Sequence, residues 1–375
     1  MFLMTPGPTE VPDRVREAMA RRMTSPDFDS EFKQFYNYLV EKIGKIYFKN
    51  SEKADKDILI LGGEGILGLE ASISSTVGPE DKVLCISNGI YGDGFANFVE
   101  NVSAEPELYS YPYDGKIDLQ EVKSAAENED FKVATLVHCE TPTGTLNNLD
   151  EILPVLRDNG IITIVDAVSS LGGTEVPTED IDICIGGSQK CFSSPPGLSI
   201  LSVSSEAWDL IRDRGPKSYY TNLAPWKEMW IDAAGSNKDR EGNGQEFPYT
   251  HLTSNLYALD ESMNIILEEG IENVFSRHRR SAKLCREMAR EMGLTLYPKP
   301  ESLMSPTVTA IEVDGNSRKL QKKIRRNYGI LLATGLGELS NDIIRVGHMG
   351  HNAREHKVRY TMEALEDAAT ELGII

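Results

Sequence analysis

The 375-residue chain carries 39 basic and 58 acidic residues, a formal charge of −19, with 40% hydrophobic and 26% charged positions. That composition excludes a disordered chain, and the negative charge opposes binding to nucleic acid or to an anionic membrane surface. The length exceeds what one core usually fills, so two unequal domains are expected.

In chain order, Thr5-Pro-Gly-Pro-Thr9 marks a stiff extended segment, because proline fixes its own φ and restrains the residue before it. Residues 1–15 are read as an N-terminal arm. Apolar spacing of three and four predicts helices over 13–23 and 30–48. An alternation follows, with strands at 58–61 and 82–87 and helices at 67–77 and 95–102, and then strands at 133–139, 161–165, 181–185 and 198–203 with helical stretches between the earlier ones. Strand and helix in turn imply the α/β class, with a mainly parallel sheet covered on both faces. From about residue 256 the texture changes. Long helices run through 269 and 292, followed by strands at 307–313 and 343–346 and helices near 317–327 and 355–372. The expected division is a large domain over 16–269 and a smaller α+β domain over 270–375.

Five cysteines at 85, 139, 184, 191 and 285 form no Cys-x-x-Cys and no zinc-like spacing with histidine. No metal site is expected, and the odd, unpatterned set points to a reducing compartment. The first residues lack a basic leader pattern, and no run of about 18 apolar residues occurs. A cytoplasmic location without membrane attachment is the expectation. The basic clusters Arg277-His-Arg-Arg280 and Lys322-Lys-Ile-Arg-Arg326 fall in helical patterns and read as solvated faces.

Chemistry concentrates at strand ends. Ile161-Ile-Thr-Ile-Val-Asp166 and Gly186-Gly-Ser-Gln-Lys190 each leave an apolar run for one ionisable residue. In an open parallel sheet ligands sit outside the carboxyl ends of the strands, so Asp166 and Lys190 can face one crevice. A carboxylate there can keep a pyridine nitrogen protonated while the amine forms an imine with a ring aldehyde, the two needs of pyridoxal phosphate chemistry. Singly, such an Asp more often caps a helix and such a Lys is more often solvated.

Gly63 to Gly68 spell a G-x-G-x-x-G, but the next strand lacks the acidic end that a dinucleotide ribose requires. What survives is a helix N-terminus near Gly65 and Ile66 able to hold a phosphate, or simply a tight glycine turn. Asn88-Gly-Ile-Tyr91-Gly92 offers a ring that can stack on a planar ligand, and His138-Cys-Glu-Thr141-Pro-Thr-Gly144 brings imidazole and hydroxyl groups to the same rim. His138 reads as a packed or supporting residue, not a metal ligand.

Together with Thr5-Pro-Gly-Pro8, Val165-Asp-Ala-Val-Ser-Ser-Leu-Gly-Gly173, Pro195-Pro-Gly197, Gly335-Leu-Gly337 and Ile344-Arg-Val-Gly347, these segments resemble the class V, fold-type I aminotransferases in order over nearly the whole chain. The nearest group is alanine–glyoxylate and serine–pyruvate aminotransferase. The resemblance implies pyridoxal 5′-phosphate as cofactor, with Lys190 as the Schiff-base lysine and Asp166 at the pyridine nitrogen. It further implies Tyr91 against the ring, Thr141 near the phenolic oxygen, and Gly65, Ile66 and Gln189 on the phosphate. Thr250 would reach the phosphate of a second subunit in a homodimer, while Arg345 and Gly7 would meet the substrate carboxylate. A ping-pong transfer from alanine or serine to glyoxylate or pyruvate follows.

Two departures stand out: Glu64 where small hydroxyl residues are common, and Ile66 where some relatives have His. A carboxylate beside a phosphate is repulsive unless it points away. The nearest rival is 2-aminoethylphosphonate:pyruvate aminotransferase, which the His-x-Glu-Thr-x-Thr-Gly stretch and Ser305-Pro306 also resemble. A cysteine desulfurase is disfavoured because no cysteine follows Cys285, and an NAD oxidoreductase by the missing ribose acid. The plainer role for Arg345 is an ion pair between domains.

Overall fold

The structure, a computed structural model, describes residues 1–48, 56–215, 217–233 and 244–375. Strand β1 (Phe2–Leu3) and helices α1 (Asp13–Ala18) and α2 (Ser30–Tyr47) precede the main alternation. It runs β2 (Lys56–Gly62), α3 (Gly65–Thr76), β3 (Lys82–Ser87), α4 (Ile90–Asn101), β4 (Glu105–Ser110), α5 (Leu119–Asn128) and β5 (Val133–Val137). After a small hairpin of β6 (Cys139–Glu140) and β7 (Thr145–Leu146) come α6 (Leu149–Asp158), β8 (Ile162–Asp166), β9 (Ile183–Gly187), β10 (Leu198–Ser204) and α7 (Ser205–Arg214).

Local chemistry sets several of these starts. Asp29 accepts the Glu31 and Phe32 amides to open α2, and Asp118 does the same for α5, satisfying donors that a helix leaves unpaired. Helix α2 then turns Phe32, Tyr36, Leu39 and Ile43 into the core, an apolar stripe at helical spacing.

The central sheet has seven strands in the order β2-β10-β9-β8-β5-β3-β4. All run the same way except β10, antiparallel to both β2 and β9. Every residue of β5, β9 and β10 is buried, as expected of strands covered on both faces. The carboxyl ends of β2, β3, β5, β8 and β9 therefore share one edge, and each leads into a segment singled out above.

A second core gathers Cys285, Leu320, Ile324, Val358, Met362 and Leu365 around a three-stranded antiparallel sheet. That sheet has the order β11-β14-β13 (Thr309–Glu312, Ile343–Val346, Ala333–Thr334). Met4 is fully buried in this core, and β1 pairs in parallel with β12 (Ile330–Leu331), so the arm is built into the structure.

Four details differ from the sequence reading. Helix α1 ends at Ala18, and α4 begins at Ile90, five residues early. The edge strand β4 was not expected, because none of its residues is buried and Glu105, Pro106 and Glu107 break any apolar run. Arg277 is not on a solvated face: its side chain is 12% exposed, paired with Glu269 and bonded to the Gly350 and Ala353 carbonyls. Among the described residues no helix is long and apolar enough to cross a membrane.

Candidate active site

The last residue of β8, Asp166, is 7% exposed, and its Oδ1 accepts the Val168 amide at 2.8 Å. Burial pushes its carboxyl up to about 6; the Val168 hydrogen bond and Lys190 pull the other way. Burial likewise lowers the Lys190 amine, with Asp166 opposing and Arg345 reinforcing the shift. Lys190 is thus no solvated loop residue. Its Nζ donates to the Pro6 carbonyl at 2.8 Å, and the arm is pinned alongside by the Thr9 amide on the Gln189 carbonyl at 3.0 Å. At Gly7 (φ +107°) a Cβ would lie 2.4 Å from Lys190 Cδ and 2.7 Å from Nζ, so only glycine lets the arm pass the lysine.

His138 follows β5 and is buried, its Nδ1 2.9 Å from Ser170 Oγ. Burial lowers its pKa to about 4, which leaves the ring neutral. The Thr141 and Ser169 hydroxyls are hydrogen-bonded to each other. Arg345, on β14, is 7% exposed; its Nε donates to the Thr334 carbonyl at 2.8 Å and its Nη1 to the Thr141 carbonyl at 3.1 Å. No carboxylate pairs with it among the described residues, which removes the interdomain ion pair. Burial lowers the guanidinium to about 10, still cationic at neutral pH. A buried fork held by two carbonyls with no counter-ion is poised for an anion.

Tyr91, in the first turn of α4, lies within electrostatic reach of Arg345, Asp166, Glu140 and Glu64. What holds it there is a residue that the sequence reading quoted without a role. Glu140 is fully buried, and its two oxygens accept the Tyr91 amide at 3.2 Å and the Gly92 amide at 2.6 Å. Gly89 makes the approach possible, since a Cβ there would sit 2.2 Å from the Glu140 carboxyl carbon. Burial raises Glu140 to about 8, against the pull of those amides. The early start of α4 has its cause here: a carboxylate 48 residues downstream satisfies its first amides.

At the end of β2, Glu64 caps α3. Its Oε1 accepts the Ile66 amide at 3.3 Å, and its Oε2 accepts Gln189 Nε2 at 3.2 Å. It does not point away. Gly65 is pressed against Val168, where a Cβ would come within 2.8 Å. Thr250 lies apart from this cluster, exposed and hydrogen-bonded to Asp27 at 3.2 Å.

Besides holding a buried acid and a half-buried amine at neighbouring strand ends, the chain matches one family model, Aminotransferase class-V, over residues 1–348. The chain belongs to the class-V aminotransferases. It is 35% identical to an uncharacterised aminotransferase of Methanocaldococcus jannaschii, covering 99% of this chain and 93% of that one. It is 32% identical to a pyridoxamine–pyruvate transaminase of Mesorhizobium japonicum, covering 100% and 92%. The crystal structure of pyridoxamine–pyruvate aminotransferase from Mesorhizobium loti superimposes with a TM-score of 0.91 at 31% identity, covering 100% and 93%. That of an alanine–glyoxylate aminotransferase from Nostoc sp. gives 0.89 at 25%, covering 98% and 94%.

This aminotransferase thus has the fold-type I architecture that the resemblance implied, in a family that depends on pyridoxal 5′-phosphate. The ring end of that cofactor suits the residues present: an acid for the nitrogen, an amine for the aldehyde, a tyrosine for the face and a hydroxyl pair for the phenolic oxygen. The phosphate end meets Glu64.

Proposed function

We propose that Lys190, Asp166, Tyr91, Thr141 and Arg345 are the working residues of a transaminase that moves an amino group from alanine or serine to glyoxylate or pyruvate. The observation that carries this reading is the pairing of a buried Asp166 and a half-buried Lys190, electrostatically coupled at one sheet edge. Relatives named alanine–glyoxylate aminotransferase, 28% identical over 98% of the chain in the rat protein, support the choice of substrates. Pyridoxal phosphate bound here supplies an electron sink for the substrate's α-carbon.

The chain's own residues do the rest. Asp166 holds a proton at the pyridine nitrogen. Lys190 Nζ, desolvated and therefore easily neutral, takes and returns the α-proton. Arg345 binds the substrate carboxylate with its planar fork, next to the Gly7 segment. Thr141 and Ser169 would hold the ring's oxygen, and Tyr91 would lie against its face. Gly65, Ile66 and Gln189 line the far end.

We assign the division into an arm (1–15), a large domain (16–269) and a small domain (270–375) on the two separate cores. A homodimer in which Thr250 reaches the neighbouring site fits its exposure and that of Ile66, Tyr220 and Leu252 near the same end of the sheet. Five free, buried cysteines fit a cytoplasmic protein. The test is a half-reaction followed by cofactor absorbance with alanine, serine, aspartate and 2-aminoethylphosphonate in turn. Conversion by alanine or serine is expected; conversion by the phosphonate alone would overturn the substrate choice.

A further inference from the structure

Two of the donors expected to hold a phosphate, the Ile66 amide and the Gln189 carboxamide, are already engaged. Glu64 takes the Ile66 amide with one oxygen and the Gln189 carboxamide with the other, so a carboxylate sits where phosphate oxygens would. Its backbone cannot easily retreat. The Glu64 carbonyl accepts Ser199 Oγ at 2.8 Å and the Leu67 amide at 2.9 Å. Behind it Gly65 and Gly68 touch Val168 and Ser199 closely enough that a Cβ on either would clash.

Charge points the same way. No lysine or arginine pairs with Glu64 among the described residues, and Glu64 adds to the upward pressure on the Asp166 carboxyl. A phosphate entering this cup would bring about two negative charges beside a fixed carboxylate, with one helix N-terminus as compensation. An independent sign comes from Gln189, which is 6% exposed and reaches into the cup with its Nε2. Its Oε1 is buried without a partner among the described residues. That oxygen needs a hydrogen-bond donor. A phosphate dianion has no proton to give, whereas an alcohol has one.

We propose that this cup is shaped for an uncharged hydroxymethyl group, so that the site accepts pyridoxal or pyridoxamine without the 5′-phosphate, and that Glu64 is the residue that sets the choice. The alcohol donates to Glu64 or to Gln189 Oε1 and accepts from a cup amide. The phosphorylated form enters only with Glu64 turned out. The inference rests on the reading of the ring end given above, since Asp166 and Lys190 hold the part that both vitamers share.

The test is titration of the cofactor-free full chain with pyridoxal and with pyridoxal 5′-phosphate, by calorimetry and by absorbance, for wild type, Glu64→Ala and Glu64→Gln. Glu64→Gln keeps the shape of the cap and removes its charge, so it guards against a folding artefact in the alanine variant. Wild type is expected to bind pyridoxal at least as tightly as the phosphate ester, and both variants to shift the preference toward the ester by about tenfold or more. A wild type that prefers the ester by about a hundredfold, with variants that leave the ratio within about threefold, would overturn the proposal while leaving the ring-end reading intact. Failure of both vitamers to bind wild type would overturn the two together.

Discussion

Replacing Arg345 with methionine separates a substrate-binding role from a structural one. The guanidinium is held near pKa 10 by burial, against an ordinary 12.5, so keeping it charged costs the folded protein about 3 kcal/mol at 1.36 kcal/mol per unit. Its bonds to the Thr334 and Thr141 carbonyls offset this by roughly 1.5–3 kcal/mol each. Removing the charge relieves the first term and loses the second. The net change in unfolding free energy should therefore stay within about 2 kcal/mol. A bound carboxylate, by contrast, loses a buried cationic partner, a loss of about 2–5 kcal/mol, or roughly 30-fold to a few thousand-fold in affinity. Titrating the cofactor-loaded enzyme with pyruvate gives the affinity, and denaturant unfolding gives the stability. A variant that binds pyruvate within about threefold of wild type but unfolds more than about 3 kcal/mol sooner would mark Arg345 as a tie between β14 and the Thr141 segment, and the binding role would fail.

Two further outcomes follow from the same geometry. Gly7→Ala places a methyl against the lysine stem at φ +107°, adding roughly 1–3 kcal/mol of backbone strain and displacing Lys190; a lower melting temperature and slower cofactor capture are expected, and unchanged values of both would contradict the account. Asp166 has its pKa raised from 3.8 to about 6 in the folded chain, so between those values the native state holds the extra proton. Its contribution is complete below about pH 4 and disappears as pH rises through about 6, a loss of about 3 kcal/mol. In the cofactor-free protein Asp166→Asn should show a correspondingly flatter stability profile across that window, and a profile parallel to wild type would refute it.

The parts of the site that were legible in the chain are those carried by local patterns. Asp166 ends β8 and Lys190 lies three residues past the end of β9, and each announces itself as a lone ionisable group after an apolar run. The direction of β10 was not legible, because a fully buried strand such as Leu198–Ser204 has no polarity in its residue pattern. Glu140 was missed as a positioning residue for a related reason. Its work is done on amides 48 and 49 positions away, and nothing near it in sequence signals a helix start. Glu64 was visible as a departure, yet whether its carboxylate turned into or out of the cup depended on Gln189, 125 positions on. Long-range partners decide such cases, and sequence windows do not contain them.

The most direct measurement is borohydride reduction of the protein in the presence of pyridoxal or its phosphate, followed by peptide mapping. The account predicts one modified residue, Lys190, whichever aldehyde is used. Label on a different lysine, or none, would contradict it.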